Sequence, residues 1–177
     1  LITGSVRGLG LAAARRFAAA GCNLVLSGFD GSQDIAPLQR EIENRHGVRT
    51  IYSGADLRRS ADIEAMVSAA LDTFGAVDIV VNNAVVRHTS PIESFATTEW
   101  DDGIAVNLSA AFHTIRLTVP GMKRRGWGRI INVSSIYGLR GAANRVNYVT
   151  SKTALIGLTR AVALETVSYG ITCNAVC

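Results

Sequence analysis

Along the 177 residues, short apolar runs alternate with longer helical segments from end to end. The apolar runs are Leu1–Thr3, Asn23–Ser27, Thr50–Ser53, Val77–Asn82, Arg129–Ser134 and Ile171–Val176. Most are rich in Val and Ile, the pattern of strands covered on both faces. Helices are expected over Leu9–Ala20, Ile35–His46, Ser60–Phe74, Thr97–Gly121 and Asn147–Ser168. Ser60 serves as an N-cap, and Gly21, Gly47, Gly75 and Gly170 stand where helices end. Repeated β-α-β units of this size require right-handed crossovers and a parallel sheet. The expected architecture is α/β: a Rossmann-type, doubly wound parallel sheet in a three-layer α/β/α sandwich. No repeat, linker or low-complexity stretch divides the chain, so residues 1–177 are expected to form a single nucleotide-binding domain. Both ends read as cut. Leu1–Gly4 looks like a strand already in progress, and the last strand and the loop closing a substrate pocket are expected beyond Cys177.

Composition narrows the class. Hydrophobic residues make up 48% and charged residues 18%, which fits a folded globular chain and not a disordered one. The net charge of +4 is scattered, and its densest cluster, Lys123-Arg124-Arg125, reads as a solvated helix end. No nucleic-acid partner is expected. Cys22, Cys173 and Cys177 are an odd number without metal spacing, so reduced thiols, a cytoplasmic setting and no metal site are expected. No apolar run approaches membrane-spanning length, and no signal peptide is visible.

Candidate chemistry begins where the first strand meets the first helix, at Thr3-Gly4-Ser5-Val6-Arg7-Gly8-Leu9-Gly10. Gly4 permits a tight turn, Gly8 lets a pyrophosphate approach the backbone, and Gly10 lets the helix pack closely. The helix N-terminus then offers unpaired N–H groups and a partial positive charge to phosphates. Ser5, Arg7 and Leu9 count among the expected cofactor contacts. The spacing is Gly-x-x-x-Gly-x-Gly, not the commoner Gly-x-Gly-x-x-Gly.

Tyr148 and Lys152 are four residues apart near the start of the last helix and so share one face. Ser135 stands thirteen residues before Tyr148, at the C-terminal end of its strand, the edge where open α/β sheets bind ligands. Interconverting a ketone and an alcohol moves a hydride and a proton. A free phenol ionises only near pH 10, and a neighbouring ammonium stabilises the phenolate. Lys152 can supply that ammonium while holding a cofactor ribose, and Ser135 can bond the substrate oxygen.

These residues resemble the short-chain dehydrogenase/reductase family over essentially the whole chain. The matching motifs are Thr3-Gly4-x3-Gly8-x-Gly10, Asp56-Leu57, Asn82-Asn83-Ala84, Asn107, Ser135, Tyr148 and Lys152. The resemblance implies further roles. Asp56, with Leu57 beside it, would bond the adenine amino group. Asn83 and Ala84 would line the cofactor cleft, and Asn107 would hold a water in a proton relay behind Lys152. Val85 departs from the family pattern, which usually has Gly there. Within the family, stretches such as Gly54-Ala-Asp-Leu57 and Ala163-Leu-Glu-Thr166 are similar to those of members that oxidise 3-hydroxybutyrate. Those members hold the substrate carboxylate with a Gln, a His and a Lys. The corresponding places hold Arg87, Tyr137 and Arg145, which still suits an anionic substrate, 3-hydroxybutyrate or a related anion. His88 reads as a structural loop residue.

The residue ending the second strand reads the cofactor ribose. That place holds Gly28-Phe29-Asp30, with no Arg to receive a 2′-phosphate, so NAD is expected. Arg7 leaves NADP as the alternative. Three functions follow: an NAD-dependent dehydrogenase of a small hydroxy acid, an NADPH-dependent 3-oxoacyl or other ketone reductase, and a non-catalytic cofactor-binding regulator. The intact Asn107-Ser135-Tyr148-Lys152 set opposes the last. The resemblance also implies a homotetramer that pairs the two long helices.

Overall fold

The computed structural model describes residues 1–29 and 35–177. Asp30, one of the residues weighed for cofactor choice, lies outside them. The strands are β1 (Leu24–Ser27), β2 (Thr50–Ser53), β3 (Ile79–Asn82), β4 (Gly128–Val133) and β5 (Ile171–Val176). The α-helices are α1 (Gly8–Ala19), α2 (Ala36–His46), α3 (Ser60–Phe74), α4 (Thr97–Ile104), α5 (Ala110–Arg125) and α6 (Val146–Thr166). β1 pairs with β2, β3 with β4 and β4 with β5, all parallel. Ile2 bridges in parallel to Leu26 on one side and Val81 on the other, so the order is β2-β1-Ile2-β3-β4-β5. The expected first strand is thus one bridging residue. The chain turns away at Gly4, whose φ of 64° lies in the left-handed region.

Successive strand residues point to opposite faces, and each face carries its own core. Val25, Val80 and Ile130 join residues of α3 and α5 in one cluster, against which Leu158 and Val162 of α6 pack. Leu24, Leu26 and Val81 join Ala14 and Ala18 of α1 and Ile42 of α2 in the other. Helices therefore cover both faces of a parallel sheet, as the alternating pattern implied. Helix α3 shows the reason locally: Ile63, Met66, Val67 and Ala70 recur on one face and are buried. Its N-cap falls on Arg59, one residue before the Ser60 assigned from sequence. The Asp62 carboxylate in the first turn instead reaches back to accept from the Asp56 N–H at 3.2 Å.

The helix expected over Thr97–Gly121 is a continuous helical run with two features that the residue pattern did not show. Five residues, Ala105–Ser109, are wound as a π-turn between α4 and α5. The run also continues past Gly121 to Arg125 and stops at Gly126. Lys123, Arg124 and Arg125 occupy its last turn, where cations meet the carbonyl end of the helix, and Arg125 pairs with Asp78 at 3.1 Å. No helix among the described residues is long and apolar enough to cross a membrane.

A buried polar network ties the sheet to both long helices. Asn82 Nδ2 donates to Asn132 Oδ1 at 2.8 Å, joining β3 to β4. Thr114 of α5 donates to Asn82 Oδ1 at 2.7 Å, and Asn132 Nδ2 donates to Thr159 of α6 at 2.9 Å. All four residues are buried, so losing one partner strands another at a cost of about 1–3 kcal/mol. The network fixes α6 relative to the end of β3.

The tightest packing lies at the start of α1. A Cβ on Gly10 would stand 2.1 Å from the Gly4 carbonyl oxygen and 2.6 Å from Asn83 Nδ2. Gly157, within α6, has open space around it. Gly10→Ala is expected to lose about 2 kcal/mol or more in urea unfolding. Gly157→Ala is expected to gain about 0.5–1 kcal/mol. Equal midpoints for the two variants would contradict this packing.

Candidate active site

A cleft of about 970 Å³ opens at the C-terminal ends of the strands, where the strand order reverses on either side of Ile2. The glycine turn forms one wall. Thr3 Oγ1 accepts from the N–H groups of Asn83 and Ala84, both at 3.0 Å. Asn83 Nδ2 returns two bonds, to the carbonyls of Thr3 at 3.0 Å and Gly4 at 2.9 Å. The turn and the loop after β3 are therefore stapled together, which sets the width of the cleft. Gly4, Arg7, Gly8, Leu9 and Gly10 all line it. Gly8, at φ 55°, has no protein atom within 4 Å of where a Cβ would stand, so its backbone faces open space. Ser5 does not line the cleft. It is fully buried, and its Oγ accepts from the Ser27 N–H at 2.9 Å, which locks the turn onto β1.

At the far end stand Phe29, Asp56, Leu57 and Arg58. Leu57 is buried and belongs to the core, while Phe29 is 62% exposed. Arg58, which the sequence reading did not single out, organises this end. It grips both Asp56 oxygens, with Nε at 2.9 and 3.0 Å and Nη2 at 2.7 Å. Its guanidinium carbon lies 5.1 Å from the centre of the Phe29 ring, and Asp102 of α4 is 3.8 Å away. Hydrogen bonding from Arg58 holds the Asp56 carboxyl below its usual range. The sequence signal available was Asp-x-Arg spacing in a turn, but the approach of Asp102 crosses from another element.

At the near end, α6 presents Tyr148 and Lys152 into the cleft. Tyr148 is 6% exposed. Lys152 Nζ lies 5.9 Å from the Tyr148 ring centre and donates to the Val133 carbonyl at 2.6 Å. Two ammonium protons are thus left for the cleft. The Arg87 guanidinium stands 5.7 Å from the same ring, and Tyr137 packs edge-on to it at 6.4 Å. Ser135 is half-buried at the end of β4, and its Oγ accepts from the Tyr137 N–H at 3.1 Å. It does not line the cleft directly, and neither does Tyr137. Arg145 stands at the N-cap of α6, its carbonyl accepting from Val149, and is not brought into the cleft lining. Val85 is 36% exposed and lines the cleft.

Asn107 lies in the π-turn and is buried. Its Oδ1 accepts from the Val86 N–H at 2.9 Å, and its Nδ2 donates to the Val86 carbonyl at 3.1 Å and to Ser151 at 3.3 Å. Ser151 in turn donates to the Tyr148 carbonyl at 3.1 Å. One side chain therefore fixes the loop carrying Val85 and Arg87 against the helix turn carrying Tyr148. His88 sits on the same loop with Nδ1 3.5 Å from Glu99, a structural placement.

The cleft's dimensions and donors suit a dinucleotide. The first turn of α1 has no acidic residue and no side-chain cap, so its N–H end is left to an anion. The sequence profile of the short chain dehydrogenase family matches residues 1–177. D-beta-hydroxybutyrate dehydrogenase of Cupriavidus necator is 47% identical over 178 residues, covering 100% of this chain and 68% of that enzyme. Among solved structures, a metagenomic short-chain oxidoreductase in complex with NADP superposes with a TM-score of 0.92 at 33% identity. That match covers 98% of this chain and 79% of the other. NAD+-bound xylitol dehydrogenase gives a TM-score of 0.90 at 27% identity, covering 98% and 66%. Fold and relatives together define an NAD(P)-dependent oxidoreductase acting on CH–OH groups. The chain belongs to the short-chain dehydrogenase family.

Burial, and then the charge of Arg87, bring the Lys152 ammonium down from 10.5 to about 8. Between these values the unfolded chain binds more protons at this site than the folded one, so stability rises with pH there. Cys173 opposes this, because burial pushes its thiol from 9.0 up to about 11. Lys152→Met isolates the lysine contribution. In cofactor-free protein, the unfolding free energy of the wild type should gain on that of Lys152→Met between about pH 8 and 10.5, by at most about 3 kcal/mol. A constant difference would show that the ammonium is not desolvated.

Proposed function

We propose that this domain oxidises a small hydroxy acid, 3-hydroxybutyrate or a related anion, with NAD as cofactor. The observation that carries the reading is the buried Tyr148 ring with Lys152 and Arg87 both turned toward it at the mouth of the cleft. When bound, the nicotinamide supplies the hydride acceptor. The substrate hydroxyl proton passes to Tyr148 Oη as the hydride leaves the adjacent carbon, so a secondary alcohol becomes a ketone. Lys152 stabilises the phenolate that must be present first and bonds the ribose with its remaining protons. Ser135 bonds the substrate oxygen and steadies the charge that develops on it. Asn107, whose amide is held by Val86 and Ser151, would position a relay water behind Lys152.

The glycine turn and the start of α1 would take the pyrophosphate, with Asn83, Ala84 and Val85 beside the nicotinamide and Asp56, Leu57 and Phe29 around the adenine. Two carboxylates, Asp56 and Asp102, flank Arg58 at that end, which favours a ribose without a 2′-phosphate. Arg7, on the turn, is the residue through which NADP would be accepted. For the substrate, the name borne by the relative at 47% identity supports a hydroxybutyrate-like acid, and Arg87 is the carboxylate partner nearest Tyr148. The reading includes a cytoplasmic homotetramer, supported by exposed apolar residues such as Leu164 on α6, which is 80% exposed.

NADH formation from NAD+ and D-3-hydroxybutyrate is the direct assay. Tyr148→Phe is expected to lower kcat about a thousand-fold while NADH fluorescence reports unchanged cofactor affinity. Turnover that survives the substitution would remove Tyr148 from the acid–base role.

A further inference from the structure

Tyr148 carries two cations against its ring, not one. Lys152 Nζ, from its own helix, lies 5.9 Å from the ring centre, and the Arg87 guanidinium, from the loop after β3, lies 5.7 Å away. Tyr137, from the turn after β4, packs edge-on to the same ring. The carboxylates lining the cleft, Asp56 and Asp102, are engaged with Arg58 at the opposite end, and Glu99 faces His88. Arg87 itself is exposed, but its backbone is not loosely held. Asn107 grips both polar groups of the preceding Val86 and connects through Ser151 to the Tyr148 carbonyl.

We propose that Arg87 is a positioning residue that acts through Tyr148, its fixed positive charge making the phenolate available for the substrate proton. This rests on the acid–base reading of Tyr148 above and goes beyond a carboxylate contact. A guanidinium stays charged throughout the working pH range. It therefore favours the deprotonated form of every group it faces, whether phenol or ammonium. Lys152 shows the same sign, since Arg87 is the second cause, after burial, of its lowered pKa.

Two measurements separate this from carboxylate binding. The first is the pH profile of kcat/KM for the wild type, Arg87→Gln and Arg87→Lys, with 3-hydroxybutyrate and with a neutral secondary alcohol such as 2-butanol. Arg87→Gln should move the rising limb to higher pH by about half to one unit with both substrates, and Arg87→Lys should restore most of it. A shift seen only with the acid, or none at all, overturns the proposal and leaves Arg87 a carboxylate partner. The second measurement needs no turnover. The ultraviolet tyrosinate signal, taken as the difference between each protein and its Tyr148→Phe counterpart, should titrate at higher pH in the Arg87→Gln background. An unmoved midpoint overturns the proposal. A moved midpoint in a protein whose Tyr148→Phe variant still turns over would instead overturn the acid–base reading while upholding the coupling.

Discussion

Helix α1 comes so close to the turn before it that no side chain fits between them at position 10. That contact, Gly10 against the Gly4 carbonyl and the Asn83 amide, is a steric constraint on which the cofactor side of the molecule depends. It aims the N-terminus of α1 into the cleft. It also brings Asn83 close enough to bond two carbonyls of the turn, while Thr3 bonds back to the loop after β3. Ser5 anchors the other side of the turn to β1. The turn is thereby held by hydrogen bonds to β1 and to the loop after β3.

The second half of the site is held by a different device. Tyr148 and Lys152 ride on a long helix whose position is set two turns away by Thr159, through Asn132, to Asn82 at the end of β3. Asn107 closes the circuit from the other direction, because the π-turn in which it lies places its amide between the Val86 backbone and Ser151. Both links are buried and mutually satisfied, which makes them strong and intolerant of change. The result is a phenol whose two cationic neighbours come from separate elements that are locked to one another.

Electrostatic character differs along the cleft. Near Tyr148 the groups are cationic, with Arg87 and Lys152 both against its ring and burial, then Arg87, lowering the Lys152 pKa. At the opposite end of the cleft, Arg58 faces both Asp56 and Asp102 and lies over the Phe29 ring. An anionic substrate and a cofactor with an unphosphorylated ribose would each meet the end that suits it.

Much of this could be read from the chain, because the signals were local. Apolar runs, glycine stops and the order of elements depend on neighbours within a few residues, and the structure keeps that order with boundaries shifted by at most four residues. The i, i+4 spacing placed Tyr148 and Lys152 on one helical face, and the turn glycines marked the helix that faces the cleft. What required the tertiary structure were relations between residues far apart in sequence. Ser5 proved to be a buried anchor, Arg145 stayed at the cap of α6 outside the cleft lining, and Arg58 emerged as the organiser of the cleft's far end. The grip of Asn107 on Val86 and the approach of Arg87 to Tyr148 belong to the same class. Periodicity and turn chemistry are properties of one segment, whereas a hydrogen bond or a charge contact between two elements exists only once packing has fixed their separation.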